Sequence, residues 1–350
     1  MSKLFYSALG KCETWPNLSN ISPSSLSYDD VLLVPQSSSI SSRRDVDTSV
    51  QFGPYKLSKP IISAPMDSIT GEKMIRTLGT LGAIGSLPRG NLDERVEICK
   101  RFSADEVPCV YAVGLKNAIS EARALTEAGA QIILLDVAHG GMEEAKKSAA
   151  RIKKELGVYV IAGNIVTSSE AESYIEHGVD VARVGVGPGG MCITRLVAGS
   201  GFPQLSAVFE TTSQPIPVIA DGGIKNPGHF AKAIAAGARI VMIGSLFAGC
   251  EETPGEIHEG MKVVRGQASR EYMEDNKMRT NEFRTAEGVS VTVSARGLVK
   301  HVIDDLMGGL RSAMTYAGAK NIEEFQDKAI FVHTSHKVNE ESQPWLVKKQ

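Results

Sequence analysis

From Val179 to Arg195 the chain reads VDVARVGVGPGGMCITR, a short β-branched run up to Val184 followed by a glycine-rich loop. The same order, an apolar run and then a polar loop, occurs eight times and alternates with amphipathic segments. Continuous apolar strands between helices are typical of a parallel sheet buried on both faces, and eight such units predict an α/β fold, the (β/α)8 TIM barrel. The eight runs are Pro60–Ala64, Ala83–Leu87, Cys109–Val113, Gln131–Asp136, Val158–Ala162, Val179–Val184, Ile216–Ala220 and Arg239–Ile243.

Helical segments are predicted between and after these runs. They are Gly71–Leu81, Ala118–Ala128, Glu143–Leu156, Ser168–His177, Pro227–Ala236, Val299–Gly308 and Leu310–Gly318. A doubly wound open sheet is the competing fold, but the first strand–helix turn, Ala64–Ser68, lacks the GxGxxG of a dinucleotide-binding sheet. We therefore predict one barrel domain over residues 27–334, an N-terminal arm over 1–26, a mobile active-site flap over 266–288 and a flexible C-terminal tail over 335–350.

The composition is that of an ordinary soluble protein. The 350 residues are 42% hydrophobic and 22% charged, with a net charge of −2. This balance gives no reason to expect a nucleic-acid or membrane surface. We find no secretory signal and no apolar run of membrane-spanning length. The five cysteines include no CxxC pair, which argues against a disulfide framework or zinc site. A cytoplasmic protein is expected.

Cys192 lies in the glycine-rich loop after the sixth run, with Thr194 two residues further on. Glycines let backbone groups approach a ligand, and a thiol in a polar loop is placed to react, whereas a thiol inside an apolar run is usually packing. We therefore interpret Cys192 as a nucleophile; a small buried hydrophobic residue is the alternative. Thr194 is interpreted as orienting a leaving group or water, with help from a neighbouring base. The carbonyl groups of Gly187, Gly189 and Cys192 are candidate ligands for a potassium ion.

The loops after the seventh and eighth runs contain Asp221-Gly222-Gly223 and Gly244-Ser245. In barrels these two loops often hold a phosphate, through backbone N–H groups. Asp221 suits a ribose diol, so the two loops together predict a site for a nucleoside monophosphate. Ordinary glycine turns, with Asp221 as a helix cap, are the alternative. On the fourth loop, Asp136 is placed for a second ribose, whereas His139 is interpreted as structural.

The polar segment 266–288 follows the eighth run and is rich in charged residues. A long polar insertion at the rim indicates a flap that closes over the site, although a solvated surface loop has the same composition. Glu287 is then a candidate general acid–base. Arg284 is a candidate to bind a cofactor phosphate.

These residues resemble the motifs of the inosine monophosphate dehydrogenase / guanosine monophosphate reductase family. The motifs are Tyr28–Leu33, Ser63–Asp67, Asp136–Gly140, Gly163-Asn164, Gly187–Arg195, Ala220–Ile224 and Gly308–Ser312. The resemblance implies a TIM barrel, assembled as a homotetramer, that binds a purine monophosphate and a nicotinamide dinucleotide. It implies that Cys192 attacks purine C2. The contacts that it implies are, for the substrate, Ser63, Met66, Asp221, Gly222, Gly223, Gly244, Ser245 and Gly266, and, for the cofactor, Asp136, Ala138 and Arg284.

Several features favour the reductase branch of this family. Only residues 90–108 separate the second and third runs, so the regulatory modules usual in the dehydrogenases are missing there. The flap has Arg270-Glu271-Tyr272 in place of the adjacent Arg-Tyr pair of the dehydrogenases. Its end, Phe283–Gly288, resembles the reductase flap with its catalytic glutamate. Phe202–Ala207 and Met314–Tyr316 also resemble the reductases.

Two other segments, Ser63–Asp67 and Gly308–Ser312, are nearer the dehydrogenase form. Gly190 departs from both branches, where a serine is usual, and thereby removes one side-chain ligand for the phosphate. The resemblance implies reductive deamination of GMP to IMP and ammonia with NADPH, in purine salvage. The alternatives are an IMP dehydrogenase that converts IMP to XMP with NAD, and a non-catalytic purine nucleotide sensor.

Overall fold

The structure, a computed structural model, describes residues 4–6, 12–14, 25–276, 285–334 and 341–342. Strands in these ranges are numbered in chain order. They are β1 Leu4–Tyr6, β2 Cys12–Thr14, β3 Val31–Leu33, β4 Val50–Phe52, β5 Tyr55–Leu57, β6 Ile61–Ser63, β7 Gly85–Leu87, β8 Cys109–Val113, β9 Ile132–Asp136, β10 Tyr159–Ile165, β11 Val181–Val184, β12 Val218–Asp221, β13 Ile240–Ile243, β14 Met261–Arg265, β15 Ser290–Ser294 and β16 Ile330–His333.

Strands β6 to β13 form the barrel. They pair in parallel in the order β6-β13-β12-β11-β10-β9-β8-β7, and a bridge between Ile62 and Ile84 closes the circle. Each barrel strand overlaps one of the eight predicted apolar runs, because both faces of each strand are buried. The predicted (β/α)8 fold is therefore confirmed.

Helices lie between and after the barrel strands, and most of them cover the outside of the barrel. They are α1 Glu72–Thr80, α2 Leu92–Ala104, α3 Ala118–Glu127, α4 Glu143–Leu156, α5 Ser168–Glu176, α6 Thr194–Val197, α7 Gln204–Thr212, α8 Pro227–Ala235, α9 Arg270–Asp275, α10 Val299–Tyr316 and α11 Ile322–Lys328. In α4, Ala145, Ala149 and Ile152 are buried at helical spacing, and the helix ends where Gly157 adopts a φ of 66°. Within the described ranges, none of the helices is long and apolar enough to cross a membrane.

Helices α2 and α7 were not predicted, for identifiable reasons. Residues 204–211 of α7 are all buried, so the segment has no polar face and no amphipathic period. Helix α2 buries Arg95, which pairs with Glu121 at 3.0 Å, and a charge on the inner face breaks the expected pattern. Helix α10 is continuous across the predicted break at Gly309, where a Cβ would lie 2.4 Å from the Cβ of Pro227 in α8.

Outside the barrel, β1, β2, β3 and β16 form a small sheet in the order β2-β1-β16-β3. Strand β1 pairs in parallel with Ile330–Val332 of the same chain. This sheet contains the described backbone at 4–6 and 12–14 of the predicted N-terminal arm. Most of the predicted tail lies outside the described residues.

Candidate active site

A cavity of about 610 Å³ opens at the carboxyl ends of the barrel strands. It brings together most of the site residues predicted from the sequence, which come from loops far apart in the chain. These residues are Met66, Asp136, Ala138, Gly187, Gly189, Cys192, Thr194, Asp221, Gly222, Gly223, Gly244, Ser245, Gly266 and Glu287. The rim of the barrel is therefore the candidate active site.

Of the predicted site residues that the structure describes, only Ser63 does not line the cavity. The side chain of Ser63 is fully buried, and its hydroxyl oxygen accepts hydrogen bonds from Thr70 Oγ1 at 2.9 Å and Ser86 N at 3.2 Å. His139, which was interpreted as structural, is exposed and does not line the cavity, and its structural role stays a prediction. Arg284 lies outside the described residues, so its predicted cofactor contact stays a prediction.

Cys192, Thr194 and Glu287 form a chain of hydrogen bonds in the cavity wall. The Cys192 thiol donates to Thr194 Oγ1 at 3.2 Å, and the Thr194 hydroxyl donates to Glu287 Oε2 at 2.8 Å. The thiol is half-buried beside the glycine-rich loop. The arrangement provides a continuous path for a proton from the sulfur atom to a carboxylate.

Backbone pairing brings Glu287 to this position. Ile193 N donates to the Glu287 carbonyl at 2.8 Å, and Val289 N donates to the Met191 carbonyl at 3.1 Å. Cys192 and Gly288 also form an antiparallel bridge. The end of the predicted flap thus pairs with the cysteine loop in the manner of a short antiparallel strand. This pairing fixes the position of the Glu287 carboxylate relative to the Cys192 thiol.

Two glycines allow the cysteine loop to fold tightly. Gly187 has a φ of 91°, and a Cβ there would lie 2.5 Å from Arg195 Nε. Gly222 has a φ of 93°, and a Cβ there would lie 3.0 Å from Pro188 Cγ. Only glycine adopts such angles at low cost. Gly187 makes room for Arg195 within the cysteine loop, and Gly222 lets the loop after β12 approach Pro188 of the cysteine loop.

The floor of the cavity contains two carboxylates joined by one arginine. Arg183 Nη1 donates to Asp136 Oδ1 at 2.5 Å, and its Nε donates to Asp221 Oδ2 at 2.9 Å. Asn164 Nδ2 donates to Asp221 Oδ2 at 2.8 Å. Burial opposes the charge of Arg183, but Asp221 and Asp136 outweigh it and raise its pKa above the ordinary value.

Asp136 is held between two arginines. Its Oδ1 accepts a hydrogen bond from Arg183 Nη1, and its Oδ2 lies 3.0 Å from Arg89 Nε, within ion-pair distance. The second contact lacks hydrogen-bond geometry, and this buried oxygen has no hydrogen-bond partner within the described part of the chain. Because the oxygen has almost no exposed surface, a ligand can reach it only if the side chains around it move.

Arg183 and Arg89 are residues of the site that the sequence interpretation missed. Arg183 interrupts the buried run Val181–Val184, and an arginine in a strand buried on both faces must have a charged partner. That signal was available in the sequence. The identity of the partners was not, because both lie on other strands.

His229 supports the loop after β12. Its Nδ1 lies 3.1 Å from the carbonyl oxygen of Gly223, and its Nε2 lies 2.9 Å from Asp29 Oδ1. Burial lowers the pKa of His229 below its ordinary value, although Asp29 opposes the shift. The Tyr28 ring packs on the imidazole with the centroids 5.7 Å apart. The motif at Tyr28–Leu33 therefore supports the loop after β12.

Arg265 ties the base of the flap to the first barrel loop. Its guanidinium contacts Asp67 at 2.6 Å and Asp275 of α9 at 2.5 Å. It also lies 5.5 Å from the centre of the Tyr272 ring. Hydrogen bonds to the two carboxylates raise the pKa of Arg265. The described part of the flap is therefore anchored at both its beginning and its end.

The predicted potassium ligands lie together, but one of them has a protein partner. The Gly189 carbonyl accepts a hydrogen bond from Cys192 N at 3.1 Å. The described residues contain no cluster of three or more His, Cys, Asp or Glu side chains suited to a metal ion. A potassium site made of backbone carbonyls therefore stays a prediction.

Similar proteins of known structure and sequence share this architecture. The chain aligns with a variant of GMP reductase from Trypanosoma brucei, solved in complex with guanosine 5'-monophosphate, at a TM-score of 0.87 and 28% identity, over 95% of this chain and 100% of that one. It is 36% identical to GMP reductase of Onchocerca volvulus over 90% of this chain and 93% of that protein. It is 33% identical to inosine-5'-monophosphate dehydrogenase of Cryptosporidium parvum over 88% and 91% of the two chains.

A family model describing the IMP dehydrogenase / GMP reductase domain matches residues 25–345. The match includes the barrel, the cysteine loop, the flap and the motif at Tyr28–Leu33. Relatives from both branches of the family cover most of the chain. The chain therefore belongs to the IMP dehydrogenase / GMP reductase family.

Proposed function

We propose that this protein is a GMP reductase, which converts GMP to IMP and ammonia with NADPH in purine salvage. The observation that carries the proposal is the chain of hydrogen bonds from Cys192 through Thr194 to Glu287. A carboxylate at the end of this chain can pass a proton to a departing amine. Similarity to GMP reductases over more than nine-tenths of their length supports the same branch.

The purine nucleotide would be held by the loops after β12 and β13. Asp221 accepts hydrogen bonds from the ribose hydroxyls, and the backbone N–H groups near Gly223, Gly244 and Ser245 bind the phosphate. Gly222 brings this loop against the cysteine loop, and Met66 and Gly266 face the base from the first loop and the flap. Among the described residues no donor is bonded to Oδ1 of Asp221, so this oxygen is available to the ribose.

Deamination begins when the sulfur of Cys192 bonds to purine C2. The thiol proton moves through Thr194 to Glu287, and Glu287 delivers it to the exocyclic amino group. The C2–N bond then breaks and ammonia leaves, so the purine is bonded to Cys192 as a thioimidate. One proton leaves the thiol and one reaches the amine, and the step balances. A covalent route divides one difficult displacement into two easier ones.

NADPH, when bound, supplies the hydride that C2 receives in the second half of the reaction. Asp136 and Ala138 line the cavity, and we assign the Asp136 carboxylate to a ribose hydroxyl of the cofactor. Arg284 is proposed to bind a cofactor phosphate. When C2 has been reduced, the C2–S bond breaks, IMP forms and the Cys192 thiolate takes a proton from solvent.

Water must be excluded while the purine is bonded to Cys192, since hydrolysis would give XMP. The end of the flap covers the cysteine loop through the backbone bonds at Ile193 and Val289, and this contact is proposed to provide the exclusion. We also propose a homotetramer in the cytoplasm and a potassium ion bound by the carbonyls of Gly187, Gly189 and Cys192.

The test is a comparison of two substrate pairs with the purified full-length protein. We expect GMP to cause oxidation of NADPH with release of ammonia, and IMP with NAD to give no reduced dinucleotide. The second candidate is IMP dehydrogenase, which the similarity to the Cryptosporidium parvum enzyme favours. Formation of NADH and XMP from IMP, with no reaction of GMP, would overturn the reductase in favour of it. Binding of purine nucleotides without turnover of either pair would support the non-catalytic sensor.

A further inference from the structure

Arg183 contacts both of the proposed ribose-binding carboxylates. It lies on β11, beside β12, which ends at Asp221, and two strands from β9, which ends at Asp136. The side chains of Arg183, Asp136 and Asp221 are only 11%, 8% and 17% exposed. The two proposed ligand sites are therefore joined through a buried guanidinium.

The chemistry of the guanidinium group suits this connection. Arginine presents N–H donors in a fixed plane, so Nη1 and Nε can hold two carboxylates at a set separation. A lysine in its place carries the same charge but offers a single nitrogen on a flexible chain. Reaching both carboxylates at hydrogen-bond distance is therefore a property of arginine at this position.

The charges of the floor also balance as a group. Arg183 and Arg89 carry two positive charges, and Asp136 and Asp221 carry two negative ones. Neutralising either carboxylate would leave Arg183 with one charged anchor in place of two, in a region where water screens charge poorly. The guanidinium would then shift toward its remaining partner and reorient it.

We propose that Arg183 is a positioning residue that couples the purine nucleotide site to the dinucleotide site. Removing the negative charge of the carboxylate in one site weakens binding in the other, because Arg183 then turns toward its remaining charged partner. The inference rests on the proposed function, which assigns Asp221 to the nucleotide and Asp136 to the cofactor. The same reasoning applies in both directions, so the test has two halves.

The test measures binding to the full-length Cys192→Ala protein, which binds ligands without turnover. GMP and NADPH are titrated separately into this parent and into the parent carrying Asp221→Asn, Asp136→Asn or Arg183→Lys. We expect Asp221→Asn to raise the dissociation constant for NADPH by about fivefold or more. We expect Asp136→Asn to raise the dissociation constant for GMP by a similar factor. We expect Arg183→Lys to weaken both ligands by about tenfold, since a charged hydrogen bond is lost.

Arg89→Gln is the matched control, because it removes one contact of Asp136 but leaves the charge of Asp136 and its bond to Arg183 in place. Arg89→Gln should raise the dissociation constant for NADPH, while the dissociation constant for GMP stays within about twofold of that of the parent. A general loosening of the floor would instead raise both constants, so this variant distinguishes loosening from coupling through Arg183. If Arg183→Lys does not fold, the two Asn variants decide the question, since they leave Arg183 in place.

Two results would overturn the inference. The first is that Asp221→Asn weakens binding of GMP alone and Asp136→Asn weakens binding of NADPH alone. The second is that Arg183→Lys weakens binding of only one of these two ligands. Parallel titrations with IMP and NAD separate this from failure of the proposed function. A parent that binds IMP and NAD in place of GMP and NADPH refutes the reductase, and the cross-effects are then measured with that pair. A parent that binds neither pair refutes both proposals.

Discussion

Two parts of the cavity are held in place by different kinds of contact. One is the floor, and the other is the hydrogen-bonded series Cys192, Thr194 and Glu287, which we call the reactive chain. In the floor, Asp136, Arg183 and Asp221 lie on or at the ends of barrel strands and are joined by buried ion pairs. In the reactive chain, Cys192 and Thr194 lie on one loop and Glu287 on another, joined by hydrogen bonds between half-buried groups. The floor is therefore set by the barrel strands, whereas the reactive chain also depends on the backbone contacts between the cysteine loop and residues 287–289.

This difference separates ligand binding from chemistry. Changes in the reactive chain should lower turnover and leave ligand affinity largely intact, because the floor does not depend on the flap. Changes in the floor should act on affinity first. Changes at the base of the flap should have an intermediate effect, since they alter how often the reactive chain is complete.

The largest effect is expected from Cys192→Ala. Removing the proposed nucleophile should lower kcat by at least about 10⁴-fold, while the dissociation constant for GMP stays within about threefold. Steady-state rates and calorimetric titration would measure the two quantities. Unchanged turnover would exclude a covalent role for the thiol, and a parallel loss of GMP binding would contradict the separation of floor and chemistry.

Glu287→Gln should have the next largest effect. The amide keeps the shape of the side chain but cannot carry the proton to the leaving amine, so kcat should fall by about 10²- to 10⁴-fold. The KM for GMP should change little, because Glu287 is not part of the floor. A raised KM with an unchanged kcat would indicate that Glu287 binds substrate and is not an acid.

Arg265→Gln should loosen the flap without touching the reactive chain. It removes the contacts to Asp67 and Asp275, and we expect kcat to fall by about tenfold, with XMP appearing as a side product because water reaches the bound purine. Chromatography of the products would detect it. Arg239→Gln is the control, since Arg239 forms an exposed ion pair with Glu323. Equal effects of the two variants would contradict a role for the flap base.

The smallest effect is expected at His229, which supports the loop after β12. Its lowered pKa means that the folded protein binds this proton less readily than the unfolded chain. The free energy of unfolding should therefore decrease as pH falls below about 6.5, by at most about 1.4 kcal/mol per pH unit. In His229→Gln, the part of this pH dependence that comes from His229 should vanish. Urea unfolding of both proteins at several pH values would measure it. An unchanged acid-side slope in the variant would contradict the assignment.

The same contrast decides what could be predicted from the sequence. Apolar runs, and the glycines that follow strands and helices, are local signals. They predicted the eight strands and the loops that contain Cys192 and Asp221. Pairing between distant charges is not local. Nothing around Arg183 or Arg265 identifies Asp136 or Asp67 as a partner, because the closure of the barrel brings them together. Helix α7 was missed since burial on all sides removes the periodic pattern on which the prediction depends.

One consequence follows from the burial of the cysteines. Of the four cysteines whose side chains are described, Cys99, Cys109 and Cys250 are buried and Cys192 is partly exposed. Burial raises the pKa of the first three, that of Cys250 to about 11, so they contain little thiolate to alkylate. A small iodoacetamide label should therefore mark Cys192 faster than these three. Mass spectrometry of the alkylated protein would then report how accessible the Cys192 thiol is before any substrate is added.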